Sequence, residues 1–117
     1  MLDVKIILNF VTLDDSTNRF KIFLDDKGDI PTIDLNQDSK INDVIFNTAS
    51  NLFYNLGGAK DFFNSLNLSG VEKLENILYI TYNVFCYNEF NCKIGKFVNF
   101  DKNSVELYRF ASNKGLQ

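Results

Sequence analysis

Histidine and tryptophan are absent from this 117-residue sequence, and cysteine, proline and arginine are scarce. Without histidine, no side chain has an ordinary pKa suited to general base catalysis near pH 7, and Ser-His-Asp and Cys-His arrangements are excluded. The chain has only two cysteines, Cys86 and Cys92, too few for a structural zinc site without histidine. We expect both to be small core residues, although the sequence leaves their pairing open.

Positive charge is also limited. The net charge is −3 and the calculated pI is 4.8, and Arg19 and Arg109 are the only arginines. Binding to nucleic acid or to an anionic membrane needs a basic face, so we expect neither partner.

The chain lacks the run of about 18 apolar residues that a membrane span needs. Its first ten residues, MLDVKIILNF, contain Asp3 and Lys5 and have no basic region of the kind that opens a signal peptide. We therefore predict a cytoplasmic protein. The abundance of asparagine, lysine and isoleucine indicates an AT-rich genome, and for a phage or virus the protein could be a virion component.

Aromatic residues are plentiful instead, with 12 phenylalanines and 5 tyrosines. A hydrophobic content of 45% and a charged content of 23% are ordinary for a soluble globular protein. The length predicts a single domain over residues 1–117, with a core rich in phenylalanine.

One long amphipathic helix is predicted before the glycine pair Gly57-Gly58. Asp38 or Ser39 is positioned to cap its first turn, and glycine readily ends a helix. Seven residues have the i, i+3, i+4 spacing of a helix face that packs on a core: Ile41, Val44, Ile45, Thr48, Ala49, Leu52 and Phe53.

Strand patterns flank this helix, and the order predicts an α+β fold with a mixed or antiparallel sheet packed against one long central helix and one or two short helices. The last strands are predicted to form a hairpin that makes Cys86 and Cys92 cross-strand neighbours. The Asp25-Asp26-Lys27-Gly28-Asp29 segment is interpreted as a tight turn and not as a calcium loop. The predicted strands are Val4–Leu13, Arg19–Leu24, Ile30–Leu35, Ile77–Tyr87 and Cys92–Phe100, and the short helices are Ala59–Leu66 and Ser104–Asn113.

This order of elements resembles the Nudix hydrolase fold. The signature of that family is Gly, five residues, Glu, seven residues, then Arg-Glu-aliphatic-x-Glu-Glu-x-Gly-aliphatic. With its last glycine placed on Gly57, the aliphatic position falls on Leu52. The other signature positions fall on neutral residues, namely Asn36, Asn42, Ser50-Asn51 and Tyr54-Asn55.

In that family the signature carboxylates hold divalent metal ions that activate water for attack on a diphosphate. Since those carboxylates are missing here, the resemblance implies the scaffold without the activity, and we predict no enzyme, no metal site and no cofactor. The predicted function is a non-catalytic protein-binding or structural component of a larger assembly. Its partner would be another protein or a second copy, and the candidate contact residues are Tyr54, Tyr87 and Phe90.

Two other functions stay open. The first is a divergent metal-dependent nucleotide pyrophosphohydrolase that uses Asp34, Asp38 and Asp43, the acids nearest the predicted start of the helix and in its first turns. The second is a small acidic inhibitor that mimics nucleic acid and binds a basic partner.

Overall fold

The computed structural model describes residues 3–14, 16–35, 40–54 and 63–99. Within these ranges the chain forms six strands and one helix. Their bounds are β1 Asp3–Asp14, β2 Arg19–Asp25, β3 Thr32–Leu35, α1 Ile41–Leu52, β4 Phe63–Leu74, β5 Ile77–Cys86 and β6 Gly95–Asn99. None of the helical structure in the described ranges is long and apolar enough to cross a membrane.

Strand β1 is the centre of the sheet. It runs parallel to β5 from the pair Asp3 and Ile77 to the pair Thr12 and Cys86. Its other edge is shared by two antiparallel neighbours, β3 along residues 4–7 and β2 along residues 11–14. β4 extends the sheet beyond β5, and β6 extends it beyond β2. The buried, mostly apolar run at residues 6–11 of β1 suits this place, because a central strand is covered on both faces.

Helix α1 packs on one face of the sheet through the buried residues Ile45, Ala49 and Leu52. Its stripe meets Ile6, Leu8 and Phe10, which alternate along β1 and therefore point to the same face. Each large side chain buried in this way contributes about 1.5–3 kcal/mol. The other buried members of this core are Phe23, Phe53, Val84, Cys86 and Phe97.

The opposite face has a smaller apolar cluster of Ile7, Val11, Ile22 and Ile30. Beside it the sheet buries polar groups, and the Asn9 Nδ2 donates to Asn83 Oδ1 across β1 and β5 at 3.0 Å. Buried amides are tolerated where such hydrogen bonds are made.

The predicted fold class is confirmed, since a mixed sheet packs against one long helix. The β1–β2 hairpin, β3 and β5 lie where the residue patterns placed them. The predicted final helix at 104–113 lies outside the described residues.

The predicted short helix at residues 59–66 is wrong over its described part, because Phe63–Leu74 is strand β4. Leu66 and Leu68 keep a spacing of two along the strand, and β4 pairs antiparallel with β5. The Asn-Leu-Ser-Gly segment at 67–70 has residues typical of a turn, yet it lies within β4. The strand instead absorbs it in a register shift between Leu68 and Gly70, which is a common role for glycine in a strand.

The predicted hairpin between the last strands is also wrong, because β6 pairs with β2 and not with β5. The segment 87–94 carries the chain from one strand to the other side of the sheet. Cys86 and Cys92 are therefore not cross-strand neighbours, since Cys92 bridges Phe53. Alternating apolar residues identify a strand but do not identify its partner.

The helix is shorter than predicted at both ends. Lys40, and not Asp38 or Ser39, precedes its first residue, and it makes no side-chain capping bond. α1 ends at Leu52, because Phe53 turns to an extended conformation and buries its ring. Tertiary packing of one aromatic ring thus ends the helix before Gly57.

Candidate functional site

The polar surface of α1 is the candidate functional site. Four exposed residues of α1 recur at i, i+4, i+7 and i+8, so they form one stripe opposite the buried face. They are Asp43, Asn47, Ser50 and Asn51. We call these four residues the polar stripe. Asp43 lies in the first turn, where the helix dipole favours a negative charge. The stripe offers amide and hydroxyl groups with one carboxylate.

The far end of the polar stripe is held by the segment between β5 and β6. The backbone N–H of Lys93 donates to Leu52 O at 2.7 Å, and the N–H of Tyr54 donates to Asn91 O at 2.7 Å. The Lys93 ammonium donates to the carbonyl oxygen of Ser50 at 3.2 Å. A cation at this end is favourable, because the last carbonyl groups of a helix carry partial negative charge.

Acidic residues near the start of α1 are the candidates for metal binding. Asp34 is on β3 with a side chain that is 81% exposed, and its Oδ1 lies 3.8 Å from Lys5 Nζ. Asp43 is on α1, and Asp38 lies outside the described residues. In the described part of the chain, no three acidic or cysteine side chains come together as a metal site. These carboxylates therefore do not fit a preformed divalent metal centre.

The three predicted contact residues lie in two different environments. Tyr54 and Tyr87 are exposed by 47% and 55%. Phe90 is partly buried against the main core, and its ring centroid is 6.4 Å from that of Phe53. Phe90 thus helps to hold the segment 87–94 on the sheet, while both tyrosines are open to a ligand.

A cluster of charged side chains on the protein surface also holds the segment 87–94 in place. Lys21 Nζ lies 2.8 Å from Glu89 Oε2 and 3.7 Å from Asp14 Oδ2. The hydrogen bond to Glu89 is the largest cause that raises the pKa of Lys21. The Ser16 hydroxyl, which donates to Asp14 Oδ1 at 2.7 Å, is the largest cause that lowers the pKa of Asp14. This cluster positions the segment and does not form a reactive centre.

Both cysteines are free thiols. Burial is the largest cause that raises the pKa of Cys86 far above its ordinary value and that of Cys92 to about 11. Neither is therefore a ready nucleophile, because the thiolate is the reactive form. Cys86 lies in the core and Cys92 packs against it, as expected for small apolar residues.

An open groove of about 540 Å³ lies between the β2–β3 turn and the start of β6. In that turn Asp25 Oδ1 accepts the backbone N–H groups of Lys27 and Asp29, each at 2.9 Å. Gly28 adopts a positive φ of 81°. The acidic run is thus a tight turn, as predicted, with Asp25 already bonded to its own backbone.

Sequence reasoning missed Lys93. Its ammonium group reaches the end of α1. The signal that would have found it is tertiary, because the bridge between Phe53 and Cys92 brings Lys93 to the end of α1 from a distant part of the sequence.

Comparison with solved structures identifies the fold class as Nudix-like. The chain resembles a MutT/nudix family protein from Enterococcus faecalis with a TM-score of 0.61 and 9% identity, covering 85% of this chain and 44% of that one. It also resembles the NUDIX domain of Shewanella oneidensis NrtR, in a cocrystal structure with ADP ribose. That TM-score is 0.60 with 9% identity, covering 91% of this chain and 77% of that one. No family model and no curated protein sequence matches the chain.

These neighbours confirm the Nudix-like fold that the order of elements suggested. The prediction of a non-catalytic structural component and the prediction that the protein is not an enzyme are therefore not retained, because the fold is shared with a MutT/nudix family protein and with a NUDIX domain solved with ADP ribose. The physical reason for the error is that the missing signature carboxylates were taken as missing activity. A magnesium ion carried by phosphates needs only one or two protein carboxylates.

Proposed function

We propose that this chain hydrolyses the diphosphate linkage of a nucleoside diphosphate compound, as a divergent Nudix-type pyrophosphohydrolase. The single observation behind this proposal is the Nudix-like fold shared with a MutT/nudix family protein and with a domain complexed with ADP ribose. Fold alone does not fix a substrate, so the proposal depends on the residues near α1 as well.

The magnesium complex of the compound is the proposed substrate. Magnesium keeps several of its waters and is commonly bound by one or two carboxylates together with substrate phosphates. Asp34 and Asp43 are the described carboxylates on either side of residues 36–39, which include Asp38.

The reaction is a displacement by water at phosphorus. The water oxygen forms a new P–O bond, the bond to the bridging oxygen breaks, and the two products are phosphate monoesters. Asp43 is the proposed acceptor of the proton that the water loses, since it is the acidic member of the polar stripe. Catalysis of this kind depends on positioning and on charge stabilisation more than on covalent chemistry.

The test is a turnover assay over ADP-ribose, dinucleoside polyphosphates and nucleoside diphosphates, with magnesium, manganese or EDTA present. We expect metal-dependent release of phosphate monoesters from at least one compound. Asp43→Asn should lower kcat/KM by about tenfold or more, on the scale of general base catalysis. Asp26→Asn, which changes an exposed acid in the β2–β3 turn, is the matched control. A pure sample with no turnover on any compound would contradict the proposal.

A further inference from the structure

We propose that Lys93 and Tyr54, at the end of α1, bind a nucleotide directly, with Lys93 on the diphosphate and Tyr54 against the base. The choice of ligand rests on the proposed function. The binding site itself is argued from the contacts that join the end of α1 to the segment between β5 and β6.

The two side chains share one surface because of a short antiparallel bridge. Phe53 pairs with Cys92, and both pack into the main core. Neighbours of core-facing residues in extended chain point the other way, so Tyr54, Asn91 and Lys93 face outward, and all three are exposed. Tyr54 and Lys93 are diagonal neighbours across the bridge, a separation of roughly 7–8 Å between backbones. That spacing suits the step from a base to the phosphates of the same nucleotide.

Lys93 carries a positive charge that no described carboxylate neutralises, since the ion pairs of the described chain involve Lys5 and Lys21. Its ammonium has three N–H donors. The hydrogen bond to Ser50 O holds the group in place at 3.2 Å. Lys93 is exposed beside the polar stripe, in which Asn47 and Asn51 add amide donors. Lysine is a common ligand for phosphate, acting as a point charge.

Tyr54 combines a fixed backbone with an exposed ring. Its N–H bond to Asn91 O at 2.7 Å fixes the main chain, while 47% of the residue is exposed. Stacking of a base on such a ring tolerates any base, because every base has an aromatic face. The site is thus predicted to select the diphosphate and not the identity of the base.

Binding at this site does not require a metal ion, because the lysine supplies the positive charge. This property separates the inference from the proposed function, in which turnover uses the magnesium complex. Affinity should fall as salt is added, since an exposed ammonium interacts with phosphate through a screened charge.

The experiment is calorimetric titration in EDTA with ADP, pyrophosphate and adenosine. Lys93→Met should lower the affinity for ADP and for pyrophosphate by about tenfold, equal to ~1.4 kcal/mol. It should leave the affinity for adenosine unchanged. Tyr54→Leu should lower the affinity for ADP and for adenosine by about tenfold and leave the affinity for pyrophosphate unchanged. Lys96→Met and Phe20→Leu, which change an exposed lysine and an exposed aromatic residue elsewhere, are matched controls and should bind like the wild type.

Lys93→Arg keeps the charge and should keep most of the affinity, which separates ligand binding from a purely structural role in capping α1. Urea denaturation of each variant identifies any loss of folding. Equal affinities in the Lys93 and Lys96 variants, or no binding by the folded wild type, would overturn the inference. If the wild type turns over a substrate and Lys93→Met does so with the same kinetics, the inference is overturned and the proposed function is left intact.

Discussion

A β-carbon on Gly95 would overlap the carbonyl oxygen of Leu24, the β2 residue that precedes Asp25, its partner in the sheet. It would also lie 2.7 Å from Phe23 Cε1, and Gly95 has a positive φ of 156°. We expect Gly95→Ala to lower the free energy of unfolding by about 3 kcal/mol or more, from backbone strain and a clash with a rigid core. Urea denaturation would measure the change. Gly70→Ala is the control, because no atom lies within 4 Å of its added carbon.

Phe53 is the residue whose truncation should damage the core most. It is 1% exposed, and its ring centroid lies 5.0 Å from that of Phe23 and 5.4 Å from that of Phe10. Phe53→Ala would leave a cavity where α1 meets the sheet, at a cost of about 3–5 kcal/mol. The exposed neighbour Tyr54 provides the comparison, and Tyr54→Ala should change the unfolding free energy far less. Similar urea midpoints for the two variants would refute this account of the core.

The contact between Lys21 and Glu89 should stabilise the fold over a defined pH range. Glu89 raises the pKa of Lys21 above 10.5, chiefly through their hydrogen bond. A raised pKa means that the stabilisation is fully present below pH 10.5 and is lost as the pH rises through the folded-state value. Glu89→Gln should therefore lower the urea midpoint at neutral pH, with a small effect because the pair is exposed.

Salt separates this charge effect from a packing effect. In about 1 M sodium chloride, where charges are screened within about 3 Å, the Glu89→Gln and wild-type midpoints should converge. Asp26→Asn, in which the replaced acid makes no ion pair with another described residue, is the matched control. A midpoint difference that persists in high salt would mean that Glu89 acts through packing.

Cys92 should react slowly with alkylating reagents in the folded protein. Its pKa rises from 9.0 to about 11, first through burial and then through the Glu89 carboxylate. The thiolate fraction at a pH near 8 then falls by about a hundredfold relative to the unfolded chain, and the iodoacetamide rate should fall with it. Mass spectrometry of labelled peptides would follow each cysteine. Cys86, which lies in the core, should be modified more slowly still, and the reverse order would contradict the structure.

The elements that the sequence predicted best are those with strong local periodicity. The buried side of α1 and the alternation along β5 come from spacing alone, and so does the β1–β2 hairpin with its polar turn. The two main errors concern long-range partners. Nothing near Gly95 indicates that β6 joins β2, and nothing near Leu52 indicates that Phe53 leaves the helix to pack among other phenylalanines.

The candidate site was less accessible to prediction than the fold. The polar stripe follows from helical spacing, but the helix bounds decide which residues belong to it, and Tyr54 was placed on the helix in error. Lys93 could not be assigned, because it reaches Ser50 only through the Phe53 and Cys92 bridge. Sites assembled from distant segments need the tertiary structure before their chemistry can be read.

The parallel pairing of β1 with β5 also has a kinetic consequence. Asn9 and Asn83 are 74 positions apart, yet their strands lie side by side at the centre of the sheet. During synthesis, β1 leaves the ribosome well before β5 has been made, and its apolar run stays unpaired with β5 until then. Contacts of such separation slow folding, and an exposed apolar strand is prone to associate with other chains. We therefore expect refolding yields to fall as protein concentration rises.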